Sequence, residues 1–324
     1  MRNTLRVMAS IRLWLVVVLV AAMVTTPSVQ AQTYTVLYSF TGTGGDGAHP
    51  LPGLAFDAKG NLYGATEYGG TGPCHGDGFL YLGCGTVFMI DTTGKETVLY
   101  RFSESTAGQH PDAGILLDTA GNLYGTTLAG GAINEGTVFG LQSNGEETVL
   151  YGFPNAPDGT VPNGLVRDTA GNLYGTTASG GDLTCSPENG CGTVFELDPI
   201  SGVETVLYSF TGGADGSAPS GGTPGGLVMD TAGNLYGMTS ASGDQSCADR
   251  YSNGCGTVFE VTPGGALTVL HTFTGSPQDG GTPAGGLLRD QLGDLYGTTE
   301  YGGAHGWGTV FRLSANGQCG DRRD

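Results

Sequence analysis

The stretch Gly53-Leu54-Ala55-Phe56-Asp57-Ala58-Lys59-Gly60-Asn61-Leu62-Tyr63-Gly64-Ala65-Thr66 decides the fold, because it returns four more times. The Gly-Asn-Leu-Tyr-Gly core (Gly-Asp-Leu-Tyr-Gly in the last copy) places tyrosine at 63, 124, 174, 236 and 296, with spacings of 61, 50, 62 and 60 residues. A Gly-Leu-x-x-Asp run, Gly-Ile in the second copy, precedes each core: Gly53–Asp57, Gly114–Asp118, Gly164–Asp168, Gly226–Asp230 and Gly286–Asp290. Gly-Thr-Val-Phe follows, at Gly85, Gly136, Gly192, Gly256 and Gly308. Thr-Val-Leu-(Tyr/His)-x-Phe links the units, starting at Thr35, Thr97, Thr148, Thr205 and Thr268. Self-similarity at such a period signals a repeat architecture.

Each unit therefore offers four short runs of Val, Leu, Tyr, Thr and Phe, the residues that fit a pleated strand. Asp-x-x-Gly-Asn between the first two runs is turn chemistry, as are Thr93-Gly94-Lys95 and Ser143-Asn144-Gly145 between the third and fourth. Four antiparallel strands in a meander make one propeller blade. One strand, Tyr34 to Phe40, precedes the first unit, and no Thr-Val-Leu-Tyr run follows Phe311 to Leu313. The count is twenty strands, and the expectation is an all-β, five-bladed β-propeller whose N-terminal strand 34–40 closes the last blade, leaving no open edge. The repeats lie near 53–102, 114–153, 164–210, 226–273 and 286–313, within a domain over 32–317, and 318–324 is a short tail. With strands lettered A to D outward from the axis, the tight A–B and C–D turns share one face. The long B–C loops and D–A crossings share the other.

Composition agrees. Glycine contributes 61 of 324 residues, far above the roughly 7% average, without a collagen register. Charged residues make up 13%, too few for long amphipathic helices. The first 31 residues read as a signal peptide: basic Arg2, Arg6 and Arg12, an apolar run from Leu13 to Val24, and small residues Val29 and Ala31 before a mature start at Gln32. An uncleaved anchor is the alternative, but the run is short of the roughly 20 residues a span needs. Cleavage would remove three arginines and no acid, leaving nine basic against 30 acidic residues, a net charge of −21. A surface of that sign repels nucleic acid and anionic lipid. The expected product is a monomer, secreted or held at the cell surface.

Cysteine usage follows loop length. Repeats 1, 3 and 4 have long B–C loops with two cysteines each, and repeats 2 and 5 have short ones with none. Closing a long loop removes unfolded-state entropy, and export permits the oxidation. The expected pairs are Cys74–Cys84, Cys185–Cys191 and Cys247–Cys255, with Cys319 left over. Zinc is the alternative reading, but no CxxC or paired histidine supports it.

Taken together, Pro-x-x-Gly-Leu-x-x-Asp-x-x-Gly-Asn-Leu-Tyr-Gly-Thr-Thr, Gly-Thr-Val-Phe and Thr-Val-Leu-Tyr-x-Phe resemble the GloVer tandem repeat of bacterial "choice-of-anchor" surface proteins, across essentially the whole mature chain. At the level of fold the order also resembles NHL-type propeller repeats. The resemblance implies an exported repeat protein with a C-terminal sorting or anchor segment. Here the sequence ends at Cys319-Gly-Asp-Arg-Arg-Asp324 with no apolar tail, a departure that puts anchoring in question.

Catalytic motifs are sparse. GTGGDG at Gly42–Gly47 lacks the following helix that a phosphate loop needs. Neither GxSxG nor HExxH occurs. Of the histidines, His271 replaces a strand-D tyrosine, while His49, His75, His110 and His305 map to the long-loop face. The recurring Asp57, Asp118, Asp168, Asp230 and Asp290 suit an Asx-type turn. Asp46, Asp158, Asp215 and Asp279 stand before glycine in the D–A crossings and offer hard oxygen ligands suited to Ca²⁺. Glu300, Tyr301, His305 and Trp307 in the last repeat match Glu67 and Tyr68 in the first. Aromatics beside carboxylates suit a glycan or protein ligand. The expected function is a non-catalytic extracellular binding module using the long-loop face. The alternative is an extracellular hydrolase or lyase with an acidic site at the channel mouth.

Overall fold

The computed structural model describes residues 34–71, 74, 83–103, 107–154, 156–220, 226–244 and 254–315. The expected signal peptide, His75, Cys247, Cys319 and the 318–324 tail lie outside them. The chain divides into two compact units, Met1–Val36 and Leu37–Asp324. In the first, the described residues 34–36 carry no regular structure. The second holds all the strands, and no helix occurs among the described residues.

Five antiparallel, blade-like sheets follow one another along the chain. The first contains β1 (Gly47–Pro50), β2 (Ala55–Phe56), β3 (Leu62–Gly69), β4 (Thr86–Ile90) and β5 (Glu96–Arg101). Its order is β1-β3-β4-β5, with β2 also on β3. The second repeats this with β6 (Gln109–Pro111), β7 (Leu116–Leu117), β8 (Leu123–Ala129), β9 (Thr137–Leu141) and β10 (Glu147–Gly152). The third has β11 (Thr160–Pro162), β12 (Val166–Arg167), β13 (Leu173–Ser179), β14 (Thr193–Asp198) and β15 (Val203–Ser209). The fourth has β16 (Ser217–Ser220), β17 (Val228–Met229), β18 (Leu235–Ala241), β19 (Thr257–Val261) and β20 (Leu267–Thr272). The fifth is β21 (Gly280–Arg289), β22 (Leu295–Gly302) and β23 (Thr309–Leu313) only.

Two expectations are corrected. Strand A begins earlier than the Gly-Leu run: in four sheets it is two pieces, the first lying just after the crossing aspartate or, in the second sheet, after Ala107 in its place. The break follows an x-Pro pair whose proline is still in register, as Pro111 is with Thr127, and the unbroken strand of the fifth sheet shifts register at the same place, between Ala284 and Leu288. The residue before that proline has positive φ in every sheet, at His49, His110, Val161, Ala218 and Thr282, a rare state for residues with a Cβ. In four cases the neighbouring sheet stabilises it: His110 N–H donates to Cys84 O at 2.9 Å, Val161 to Glu135 at 3.2 Å, Ala218 to Cys191 at 3.0 Å and Thr282 to Cys255 at 2.9 Å. The second correction concerns closure. Residues 34–40 form no strand, and the outer edge of β23 has no strand partner among the described residues. Phe40 nevertheless meets Phe88 of the first sheet edge-on at 4.9 Å, the ring contact that strand-D phenylalanines make with the following sheet.

The core sits between blades rather than inside them. Each strand-D phenylalanine meets the strand-C phenylalanine of the next sheet: Phe102–Phe139, Phe153–Phe195, Phe210–Phe259 and Phe273–Phe311, all T-shaped at 5.1–5.4 Å. Four buried clusters correspond to four junctions. Val87 packs with Ile115, Val138 with Leu165, Val194 with Leu227 and Val258 with Leu287. The mid-strand glycine lies opposite the same phenylalanine, as in Gly175↔Phe195. A Cβ there would stand 2.6 Å from the Phe195 Cζ. Glycine is thus required by the ring that crosses it, not by a turn.

Candidate functional site

On the tight-turn face the repeated aspartate folds the A–B turn. Asp57 accepts from the Lys59 and Asn61 amides at 2.8 and 2.9 Å, from Asn61 Nδ2 at 2.8 Å and from the Tyr63 hydroxyl at 3.2 Å. Burial would raise its pKa, but these donors hold it below the usual carboxylate range. Asp118, Asp168, Asp230 and Asp290 repeat the pattern with Tyr124, Tyr174, Tyr236 and Tyr296. Two clefts of about 620 and 650 Å³ open on this face, one holding Arg167 5.8 Å from the Tyr124 ring centre.

The four crossing aspartates have an internal occupation. Asp46 accepts from the Tyr38 hydroxyl at 3.1 Å, the Thr41 amide at 2.6 Å, the Thr41 hydroxyl at 2.7 Å and the Gly47 amide at 2.7 Å. Burial pushes its pKa up, yet the Thr41, Gly47 and Tyr38 donors bring it below the ordinary value. Asp158 takes the Tyr151 hydroxyl. Asp215, buried, takes the Tyr208 hydroxyl and both Thr211 donors. Asp279 takes His271 Nε2 at 3.1 Å and the Thr274 donors. Strand D and the start of strand A are thereby tied together at each crossing. Among the described residues no three His, Cys, Asp or Glu side chains converge to hold a metal ion, so the four carboxylates are separate locks and do not meet. Where the aspartate is replaced by Ala107, the Tyr100 hydroxyl turns to Glu147 Oε2 at 3.3 Å.

A second carboxylate row went unnoticed in the sequence. Glu96, Glu147 and Glu204 stand at or next to the start of strand D in three blades, and each has a buried Oε1 with no hydrogen-bond partner among the described residues. Burial raises all three, and Glu204, with the Asp158 charge adding to burial, is pushed up to about 8. The signal was present as Glu-Thr-Val-Leu-Tyr in three consecutive linkers.

The long-loop face carries the least repetitive chemistry. Tyr68 lies edge-on between His49 and His110, with ring centres at 5.1 and 5.2 Å. His110 Nδ1 is 3.3 Å from the Glu67 carbonyl oxygen, the geometry of an N–H donated to it. Nearby, burial and then the Glu67 charge push Asp112 up to about 6. The first two blades thus contribute two imidazoles, a phenol and two carboxyl groups around one spot, and His49 is exposed. Of these residues, the sequence placed Glu67 and Tyr68 in a site. It left His49 and His110 scattered and passed over Asp112. The available signal was histidine before the strand-A proline in two of five repeats.

Glu300, Tyr301, His305 and Trp307 sit on the fifth blade, whose sheet shares no strand pairing with the first. Trp307 is 88% exposed. Between the third and fourth blades a cleft of about 440 Å³ is lined by Ser179, Ser186, Asn189, Ser217 and Ser242. The Cys185–Cys191 disulfide borders it, with Cα atoms 6.2 Å apart. Cys74–Cys84 is the other described bridge, at 5.3 Å. Cys255 is also disulfide-bonded, and its expected partner Cys247 lies outside the described residues. Besides stapling loops, the bridges fix the Cys84, Cys191 and Cys255 carbonyls that receive the next blade's positive-φ residue.

Solved structures with similar folds are distant. A catalytically inactive virginiamycin B lyase from Staphylococcus aureus, bound to quinupristin, is 12% identical over 81% of this chain and 69% of its own, with a TM-score of 0.49. A gluconolactonase from Xanthomonas campestris is 17% identical over 81% and 71%, with a TM-score of 0.44. PorZ, a surface component of the type-IX secretion system of Porphyromonas gingivalis, is 14% identical over 88% and 35%, with a TM-score of 0.49. No curated protein matches the chain. The repeat itself is matched directly: the Gloeobacter/Verrucomicrobia repeat covers residues 23–249 and 220–321, the same span in which glycine, phenylalanine and aspartate recur at equivalent structural positions, and the chain belongs to that family.

Proposed function

We propose that this chain is an exported, non-catalytic binding module that takes a glycan or a protein segment on its long-loop face, at the mouth formed by His49, Glu67, Tyr68, His110 and Asp112. The observation that carries this reading is Tyr68 held between two imidazoles beside two carboxyl groups. Elsewhere the repeats duplicate one another, and a site needs a place where they differ. Glu300, Tyr301, His305 and Trp307 form the corresponding group of the last blade. The disulfides support an oxidising compartment outside the cytoplasm, and no described helix is long and apolar enough to cross a membrane. A glycan array, followed by calorimetry on any hit, tests the reading. Tyr68→Ala should abolish binding while the melting temperature stays close to that of the parent. Undiminished binding by that variant rules the mouth out.

Asp112 favours a second reading. A carboxyl group pushed up to about 6 by burial and by a neighbouring carboxylate is suited to general acid–base work. An extracellular hydrolase or lyase, with Ca²⁺ near Asp46, Asp158, Asp215 or Asp279, would show a Ca²⁺-dependent rise in melting temperature.

A further inference from the structure

The four junctions between blades obey one set of contacts, and the two ends of the chain each display one half of it. At a junction, the strand-A proline of the later blade lies over the Gly-Thr-Val-Phe glycine of the earlier one: Pro111 over Gly85, Pro162 over Gly136, Pro219 over Gly192 and Pro283 over Gly256. The residue before that proline donates its N–H to the carbonyl preceding the glycine. The Gly-Leu side chain packs on the strand-C valine. The last residue of strand A covers the earlier blade's tyrosine, as Arg167 covers Tyr124 and Arg289 covers Tyr236.

On the first blade the later half of this set is uncovered. Pro50 is exposed, whereas Pro111, Pro162, Pro219 and Pro283 are buried. Leu54 is 47% and Phe56 70% exposed. On the fifth blade the earlier half is uncovered: Val310 is 83% exposed, while Val87, Val138, Val194 and Val258 are wholly buried. Among the described residues no strand pairs with the outer edge of β23.

We propose that these faces dock on one another between copies, the first blade of one chain seating on the fifth blade of the next. Leu54 then meets Val310, Pro50 covers Gly308, Phe56 covers Tyr296, and the His49 N–H reaches the Trp307 carbonyl. Leu37–Phe40 lies along β23 as its missing fourth strand, an addition of an extended segment to a sheet edge. The occupant is a second copy, because every contact the face requires is one this chain already makes four times and because within the single chain both faces stay exposed, with no proline against Gly308. The interface is head-to-tail, so it propagates instead of stopping at a symmetric dimer.

Two complementary variants test it, both in a Cys319→Ser background under non-reducing conditions. Phe56→Asp blocks the first-blade face and Val310→Lys the fifth-blade face, and both positions are exposed in the single chain. Sedimentation velocity should show parent protein forming species heavier than the monomer as concentration rises. Each variant alone should remain monomeric, with unchanged circular dichroism. An equimolar mixture should form one-to-one dimers, because one good face of each kind remains. A parent that stays monomeric at every concentration overturns the proposal, including the case in which the chain closes on itself. Association that survives either variant, or a mixture that does not dimerise, also overturns it. If either variant loses its circular dichroism signal, Leu54→Lys or Thr298→Lys, the latter directly opposite Val310 across the strands, replaces it on the same face and the same outcomes decide.

Discussion

Replacing Gly175 with alanine isolates the interaction that the repeat is built around. The residue is in mid-strand, its φ is not positive, and a Cβ is sterically legal for the backbone itself. An alanine in an extended segment would ordinarily stabilise by roughly 0.5–1 kcal/mol, through lost freedom of the unfolded chain. The Cβ would however stand 2.6 and 2.9 Å from Phe195 Cζ and Cε1 and 3.0 Å from Leu165 Cδ2. Phe195 cannot withdraw, since it is fully buried and held edge-on by Phe153 at 5.4 Å. Overpacking of that kind costs about 1–3 kcal/mol, so the net loss expected is about 1–2 kcal/mol. Urea denaturation followed by tyrosine fluorescence measures it, with the midpoint falling at constant slope. Phe195→Leu alone should cost about 1–2 kcal/mol, but combined with Gly175→Ala it should restore space for the methyl. The pair should then couple by about 0.5–2 kcal/mol in the favourable sense. A Gly175→Ala chain as stable as the parent, or two changes that simply add, would refute the reasoning.

Two further outcomes concern charge. Glu204 has its folded-state pKa raised from an ordinary 4.5 to about 8. The folded state therefore binds that proton more tightly than the unfolded chain. Its stabilising effect is complete below about 4.5 and is lost as pH rises through about 8. The whole shift would correspond to roughly 5 kcal/mol, and solvent access to this side chain reduces it to about 1–2 kcal/mol. Glu204→Gln should match the parent near pH 4 and exceed it in denaturation midpoint above pH 8, and a difference independent of pH contradicts the assignment. Asp215→Ala should cost about 2–3 kcal/mol, because the Tyr208 hydroxyl and the Thr211 amide lose their acceptor. Asp215→Asn should recover about half of it, read from melting curves. Equal melting temperatures for alanine and parent would show that the crossing is not held this way.

How much was legible in the sequence depended on distance along the chain. The five repeats, the strand runs, the A–B turn with Asp57, Asn61 and Tyr63, and the two described cysteine pairs are visible to a reader of residues, because their partners lie within a few positions or within one loop. The crossing aspartates were visible too, but as loose oxygen ligands. Their capture by Tyr38, Tyr151, Tyr208 and His271 depends on how strand D turns back into strand A. The mid-strand glycines were legible as close approaches without naming what approaches. Spacing alone could not show that Pro111 lies on Gly85, or that the residue before each such proline turns to positive φ to reach the neighbouring blade.

The amino-acid sequence by itself determined the unit: four strands, their turns and their stapled loops, all stabilised by contacts that each repeat makes with itself or its immediate linker. Only the tertiary structure decided what happens between units. It brought the rings of His49, Tyr68 and His110 together, buried the valine of every inner junction, and left Val310 and Phe56 uncovered at the ends. The physical reason is that junction contacts join residues many positions apart, as His110 and Glu67 are joined across 43. Their formation depends on the angle at which whole sheets pack, a quantity no single repeat encodes.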